Sequence, residues 1–165
     1  MNPALTSLVI TTRDGNFIAR YSAKGLASLN FPTDRKTNPP AQERIPSDVR
    51  GWHRVTTRAV KVTLAGKDAD ELPPFDLSAG TDFQRAVWAA MRKIRAGQTR
   101  SYGEIARDVG SPKAVRAVGG ACGANPIPVL VPCHRVLAAN QKIGGFSSGL
   151  DWKRKLLAGE GVAVS

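Results

Sequence analysis

Apolar and β-branched residues cluster in Leu8-Val9-Ile10-Thr11-Thr12, and a second extended run resumes at Phe17-Ile18-Ala19. Asp14-Gly15 between them is a turn signal, so the pair predicts a β-hairpin. Gly25 to Phe31 alternates well enough to add a third strand. Pro32 to Ser47 holds Pro32, Pro39, Pro40 and Pro46 among charged residues and reads as a loop. Ser47 or Asp48 is the expected cap of a helix running to about Ala65, with Val49, Trp52, Val60 and Leu64 on one side. Gly66 to Ala79 is rich in turn residues and marks a boundary.

The pattern sharpens from Thr81. Thr81-Asp82-Phe83-Gln84 is a capping box, and Phe83, Val87, Ala90, Met91 and Ile94 follow at helical spacing until Gly97. Ser101-Tyr102-Gly103-Glu104 is a second box, opening a short helix that ends at Gly110. Ser111-Pro112 then offers an N-cap with proline in the first turn. The helix beyond, Lys113 to about Ala124, carries Val115, Val118 and Cys122 on one side. Two short helices joined at Gly110-Ser111 make a helix-turn-helix pattern. Gly119, Gly120, Ala121, Gly123 and Ala124 lower helix propensity and imply close approach, by a neighbouring helix or by a DNA backbone. The expected fold class is α/β: a small N-terminal domain with a short sheet (residues 1–79), then a mostly helical domain (residues 80–165).

Charge changes this picture. The 165 residues carry 24 Lys+Arg against 13 Asp+Glu, a net +11. Residues 1–80 hold 11 basic and 8 acidic groups, whereas residues 81–165 hold 13 and 5. Such a surface favours polyanions through counterion release, and the second half is where a nucleic-acid site belongs. Two cysteines, Cys122 and Cys133, cannot build a disulfide framework. Met1 to Ile10 lacks a basic region followed by an apolar run, and no stretch approaches membrane-spanning length. The expectation is an intracellular, reducing setting with both thiols free and no membrane.

The segment richest in chemistry is Asn125 to Val136. Val129-Leu130-Val131 reads as a buried strand that Pro132 ends, delivering Cys133 and His134 at the end of a rigid element. Cys122 reads as inert packing. Cys133 differs, because His134 and Arg135 follow it and positive neighbours favour a thiolate. Adjacent strand residues point to opposite faces, so either the chain bends after Pro132 or a water links thiol and imidazole. Cys122, Cys133, His53 and His134 match no common zinc spacing.

Phe83-Gln84…Val87-Trp88, Gly97…Ser101-Tyr102, Pro112 to Gly119, Asn125-Pro126, Pro132-Cys133-His134-Arg135-Val136 and Lys153…Leu156-Leu157 together resemble the C-terminal domain of O6-alkylguanine-DNA alkyltransferases, the methylated-DNA–protein-cysteine methyltransferases. The match covers residues 83–160, about half the chain, in the family's order. Residues 1–79 resemble the family's N-terminal domain only in outline.

The resemblance implies irreversible transfer of an alkyl group from guanine O6 in double-stranded DNA to Cys133, once per protein molecule, by a monomer without cofactor. It makes Cys133 the nucleophile and His134 its base through a bound water. Glu160 orients His134, and Asn125 holds the turn carrying the cysteine. The nucleotide is flipped out through the minor groove. Arg116 fills the gap in the base stack, and Tyr102 pushes the 3′ phosphate and donates to guanine N3. Gly103, Ser111 and Gln84 are implied phosphate contacts at helix N-termini, and Phe146 and Ser147 belong to the base pocket. Phe146 stands where relatives often have tyrosine, and residues 1–79 lack the zinc ligands of some members, so no metal is expected. The rival reading is a non-catalytic alkyl-lesion binding protein; members of that kind replace the nucleophile, and Cys133 is present here. A helix-turn-helix transcription factor leaves Pro132-Cys133-His134-Arg135 unexplained.

Overall fold

The computed structural model describes residues 5–33 and 44–165. Three strands open the chain: β1 (Thr6–Thr12), β2 (Gly15–Ser22) and β3 (Gly25–Asn30), antiparallel in the order β1-β2-β3. Arg13 and Asp14 form the first turn, where Thr12 Oγ1 accepts from the Asp14 amide at 3.0 Å and donates to Gly15 O at 2.8 Å. Phe17, Ala19 and Tyr21 alternate along β2 and turn one face into the core. Gly25, at φ 148°, is required where it stands, since a Cβ there would lie 2.2 Å from Pro74 O.

Helix α1 (Ser47–Leu64) covers the sheet. Because Val9 O can only accept from His53 Nε2 (3.2 Å), His53 Nδ1 accepts from the Tyr21 hydroxyl at 2.7 Å. The expected cap at Ser47 or Asp48 is corrected: Pro46 occupies the N-cap position, with no side-chain cap. Its carbonyl already accepts from the Arg50 amide at 3.1 Å, so the helix starts one residue earlier than hydroxyl chemistry suggests. Pro39 and Pro40, within the expected loop, lie outside the described residues, as do Met1 to Ala4.

The second half is mostly helical: α2 (Asp82–Met91), α3 (Tyr102–Asp108), α4 (Val115–Gly123) and α5 (Leu150–Gly159). The Thr81–Gln84 capping box closes in both directions, at 3.1 and 2.9 Å. Helix α2 ends at Met91, short of the expected Gly97, and Ile94 is buried from the turn that follows. The second box closes in one direction only. Ser101 Oγ accepts from the Glu104 amide at 3.0 Å, but the Glu104 carboxylate is drawn to Arg100 at 2.9 Å. Residues 111–114 form a turn in which the Ala114 amide donates to Ser111 O at 2.9 Å, so Ser111 does not cap α4. Val115, expected on the inner side, is 43% exposed.

Two ties position the segment between α4 and α5. A short strand β4 (Arg100–Ser101) pairs in parallel with β5 (Val136–Leu137), locking the start of α3 to the chain just after Cys133. The Leu29 amide of β3 donates to Pro126 O at 2.9 Å, which fixes the other end. One hydrophobic core runs through both halves, and Phe17, Phe31 and Trp152 meet in it with ring centroids 4.8 to 5.7 Å apart. Among the described residues no helix is long and apolar enough to cross a membrane.

Candidate active site

The expected strand Val129-Leu130-Val131 is a turn. Pro126, Pro128 and Pro132 remove three backbone donors from this segment, so it cannot sustain a ladder. The side chain of Asn125 replaces those bonds. Its Nδ2 donates to Val131 O at 2.8 Å, and its Oδ1 accepts from the Ile127 amide at 3.0 Å. Val129 is held at φ 77°, a strained position for a β-branched residue that the buried packing around it overrides. The chain then bends into a 3₁₀ turn, Cys133–Arg135. Cys133 and His134 therefore do not alternate as strand neighbours would.

The Cys133 side chain reaches a cavity of about 160 Å³, lined also by Tyr102, Gly119, Cys122, Gly123 and the segment Gly145 to Ser147. That is below the size range of ordinary drug-sized ligand pockets. Phe146 is braced edge-on by Phe31 at 5.8 Å, and Ser147 Oγ donates to Gly123 O at 2.8 Å. Tyr102 stands at the first position of α3, and a Cβ on Gly144 would lie 3.0 Å from its hydroxyl. Burial raises the Tyr102 phenol above its ordinary range, so it stays protonated and able to donate.

Behind the cavity lies a buried polar chain. His134 is fully buried, and its Nε2 lies 3.0 Å from Glu160 Oε1. A carboxylate accepts, so Nε2 carries the hydrogen and Nδ1 presents a lone pair. His134 Nδ1 has no hydrogen-bond partner among the described residues, an exposed valence on a buried nitrogen. Burial lowers the His134 pKa and outweighs the opposing Glu160 contact, leaving a neutral imidazole. Burial alone would raise Glu160, but hydrogen bonds from His134 and Arg135 bring it down to about 2.

Arg135 corrects the expectation that it favours the thiolate. Its guanidinium turns away from the sulfur, to Glu160 Oε1 at 2.7 Å, to Ile94 O at 2.7 Å and to Asp68 at 3.3 Å. Burial raises the Cys133 thiol above its ordinary pKa, and Asn125 and Lys153 pull against that rise. The cation near the sulfur is thus Lys153, a fully buried ammonium that donates to Val136 O at 2.8 Å and Gly145 O at 3.0 Å. Burial lowers Lys153 to about 8. Cys122 lines the same cavity but contacts Met91 Sδ at 3.5 Å, and burial pushes its thiol up to about 12.

The remaining expected residues divide. Arg116 is exposed in the first turn of α4 and has no ion-pair partner among the described residues. A Cβ on Gly119 or Gly120 would meet nothing within 4 Å, so no neighbouring helix demands these small residues. Gly103 lies in the first turn of α3 and Ser111 in the turn before α4. Gln84 lies away from the cavity, in a groove it shares with Trp88, Ala124 and Pro126. Lys153 and Asp68 were not among the expected site residues, and Arg135 was expected beside the sulfur and not on Glu160. For Lys153 a signal existed: it lies three and four residues before the buried Leu156 and Leu157, on the same helix face.

Residues 82–162 match the family described as 6-O-methylguanine DNA methyltransferase, DNA binding domain. Among curated proteins, the chain is 43% identical over 150 residues to a methylated-DNA–protein-cysteine methyltransferase of Methanosarcina acetivorans, covering 89% of this chain and 92% of that one. It is 40% identical over 162 residues to the inducible methylated-DNA–protein-cysteine methyltransferase of Bacillus subtilis, covering 94% and 89%. Among solved structures, the Mycobacterium tuberculosis OGT crystallised with DNA superposes with a TM-score of 0.75 at 36% identity, covering 92% of this chain and 90% of that one.

Proposed function

The chain belongs to the methylated-DNA–protein-cysteine methyltransferase family, enzymes of direct-reversal DNA repair, and on that premise we propose that Cys133 takes the alkyl group from O6-alkylguanine flipped out of duplex DNA. The observation that carries this reading is the pairing of the Cys133 cavity with the free lone pair of His134 Nδ1. His134 accepts the thiol proton through a water, and Glu160 holds the tautomer that makes this possible. The thiolate attacks the alkyl carbon in line with O6: the S–C bond forms as the C–O bond breaks, and the electron pair goes to the guanine. Tyr102, kept protonated by burial, donates to the departing base. Asn125 fixes the turn that aims the sulfur.

Extrusion is assigned to α3 and α4, working as a helix-turn-helix in the minor groove, with Arg116 entering the stack. Gly119 and Gly120 leave open surface for a DNA backbone. Gly103, Ser111 and Gln84 contact phosphate, and Phe146 and Ser147 bound the base. Residues 1–79 act as scaffold for residues 80–165, and the protein works as a monomer in a reducing, intracellular compartment. The test is peptide mapping after reaction with a methylguanine duplex. A methyl on the Cys133 peptide, retained in Cys122→Ala and lost in Cys133→Ala, is the expected result. Loss of transfer in Cys122→Ala alone overturns the assignment.

A further inference from the structure

Helix α1 carries four cations in succession: Arg50, Arg54, Arg58 and Lys61. At about 100° per residue they fall within roughly 80° of the helix circumference. The buried residues Val49, Thr56, Ala59, Val60 and Thr63 lie on the opposite side, which packs on β1 and β3. All four cations are exposed, and among the described residues none has an ion-pair partner. Asp48, the acidic residue of this helix, stands in its first turn and off the stripe. Like charges four residues apart destabilise a helix, so this arrangement works against α1 unless something anionic lies on it.

We propose that the α1 stripe is a second phosphate-backbone contact, holding duplex DNA apart from the pocket that receives the base. This rests on the reading that the chain binds duplex DNA. Three of the four groups are guanidinium, whose planar fork matches phosphate oxygens. Arg50 to Lys61 spans about 16 Å of helix axis at about 1.5 Å per residue, and duplex DNA offers one negative charge per about 1.7 Å. The stripe is rigid because the other face of α1 is packed on the sheet. It is separate from the cavity, none of whose lining residues it supplies, and α3 and α4 pack on one another and on α2. The contact reads no bases. Its effect is sequence-independent hold and retention during search.

The test uses the full chain with Arg50→Gln, Arg54→Gln, Arg58→Gln and Lys61→Gln combined, and an Arg54→Gln/Arg58→Gln pair in case the fourfold variant fails to fold. Binding of undamaged duplex is measured over a range of salt, with helix content followed by circular dichroism. At about 0.9 per phosphate contact, the slope of log K against log salt should shrink by about 3 to 4 in the fourfold variant and by about 2 in the pair. Affinity at low salt should fall about tenfold or more. Methyl transfer from free O6-methylguanine base should be unchanged, since that reaction needs no duplex. An unchanged slope in either folded variant overturns the proposal. A wild-type chain that binds duplex but transfers no methyl removes the proposed reaction and leaves the slope comparison decisive for the stripe.

Discussion

Glu160 Oε1 lies 3.0 Å from His134 Nε2, and both side chains are fully buried although 26 residues separate them. That contact decides which imidazole nitrogen is basic. Arg135 clamps the same carboxylate through Nε and Nη2, so the charge facing His134 is already balanced and the imidazole has no reason to be cationic. The resting state is therefore thiol and neutral imidazole. Transfer depends on moving one proton at the moment of attack.

The pH dependence follows from these directions. Because the thiol pKa is raised and the His134 pKa lowered, the rate should rise with pH, and its acid limb should lie below the ordinary imidazole range. Glu160→Gln removes the group that supports His134 as a base. The rate near pH 7 should drop on the order of 10²-fold, and the acid limb should move to lower pH, because the Glu160 contact is what holds the His134 pKa up against burial. Stopped-flow transfer assays from pH 5 to 9 check this, with His134→Phe beside it. Unchanged profiles for both variants would remove the relay from the mechanism.

Lys153 yields a prediction with the opposite origin. Its ammonium favours the Cys133 thiolate, so Lys153→Met should raise the pH at which the thiol reacts with a small alkylating reagent. The sign of its linkage to folding is also fixed. The folded pKa, about 8, lies below the ordinary lysine value of 10.5, so the unfolded chain binds more protons between the two. Wild-type stability should thus gain from this group as pH rises from 8 to 10.5, and Lys153→Met should lose that gain. Thermal melts at pH 8 and 10 measure it. A variant thiol with wild-type reactivity at every pH would leave Lys153 as a brace between Val136 and Gly145 alone.

How far such relationships were legible depends on their reach along the chain. The Thr81–Gln84 box could be read because its bonds join residues three apart. Val129-Leu130-Val131 misled because a short apolar run does not distinguish a strand from a buried turn. The answer lay in the prolines at 126, 128 and 132 and in the Asn125 side chain that substitutes for the missing donors. Arg135 sits beside Cys133 in sequence, yet its partners are Asp68, Ile94 and Glu160, which only the fold brings there. Adjacency suggested a cation on the sulfur, and tertiary geometry turned it away. Cys133 and His134 stood out through their own neighbours, whereas Glu160 entered only through resemblance, since nothing local to it marks it as more than an acid following a helix.

Arg116 separates extrusion from chemistry in the proposed reaction. It is exposed and unpaired among the described residues, so Arg116→Ala should leave the melting temperature within about 2 °C, as for surface changes generally. Transfer from a methylguanine duplex should fall at least about tenfold more than transfer from the free base. Parallel single-turnover assays on the two substrates give that ratio. Equal losses on both would make the residue structural.

The last prediction concerns what happens after transfer. Attack leaves an S-alkylcysteine, a thioether whose sulfur is a poor leaving group at neutral pH, so return of the thiol needs another nucleophile. Cys122 lines the same cavity, but burial pushes its thiol up to about 12 and its sulfur is engaged with Met91, so it is not a thiolate near pH 7. The protein should therefore act once per molecule. The added methyl also enters a packed environment, where Cys133 is 6% exposed and its turn is already strained at Val129. Overpacking typically costs about 1–3 kcal/mol, which lowers the melting temperature by several degrees in a chain of this size. Excess methylguanine duplex should yield one methyl per protein, a mass gain of one CH₂, and an earlier thermal transition in the alkylated form. Product formation continuing well past one equivalent, with Cys133 unmodified at the end, would contradict the one-shot mechanism, and an unchanged transition would show that the cavity accommodates the methyl without strain.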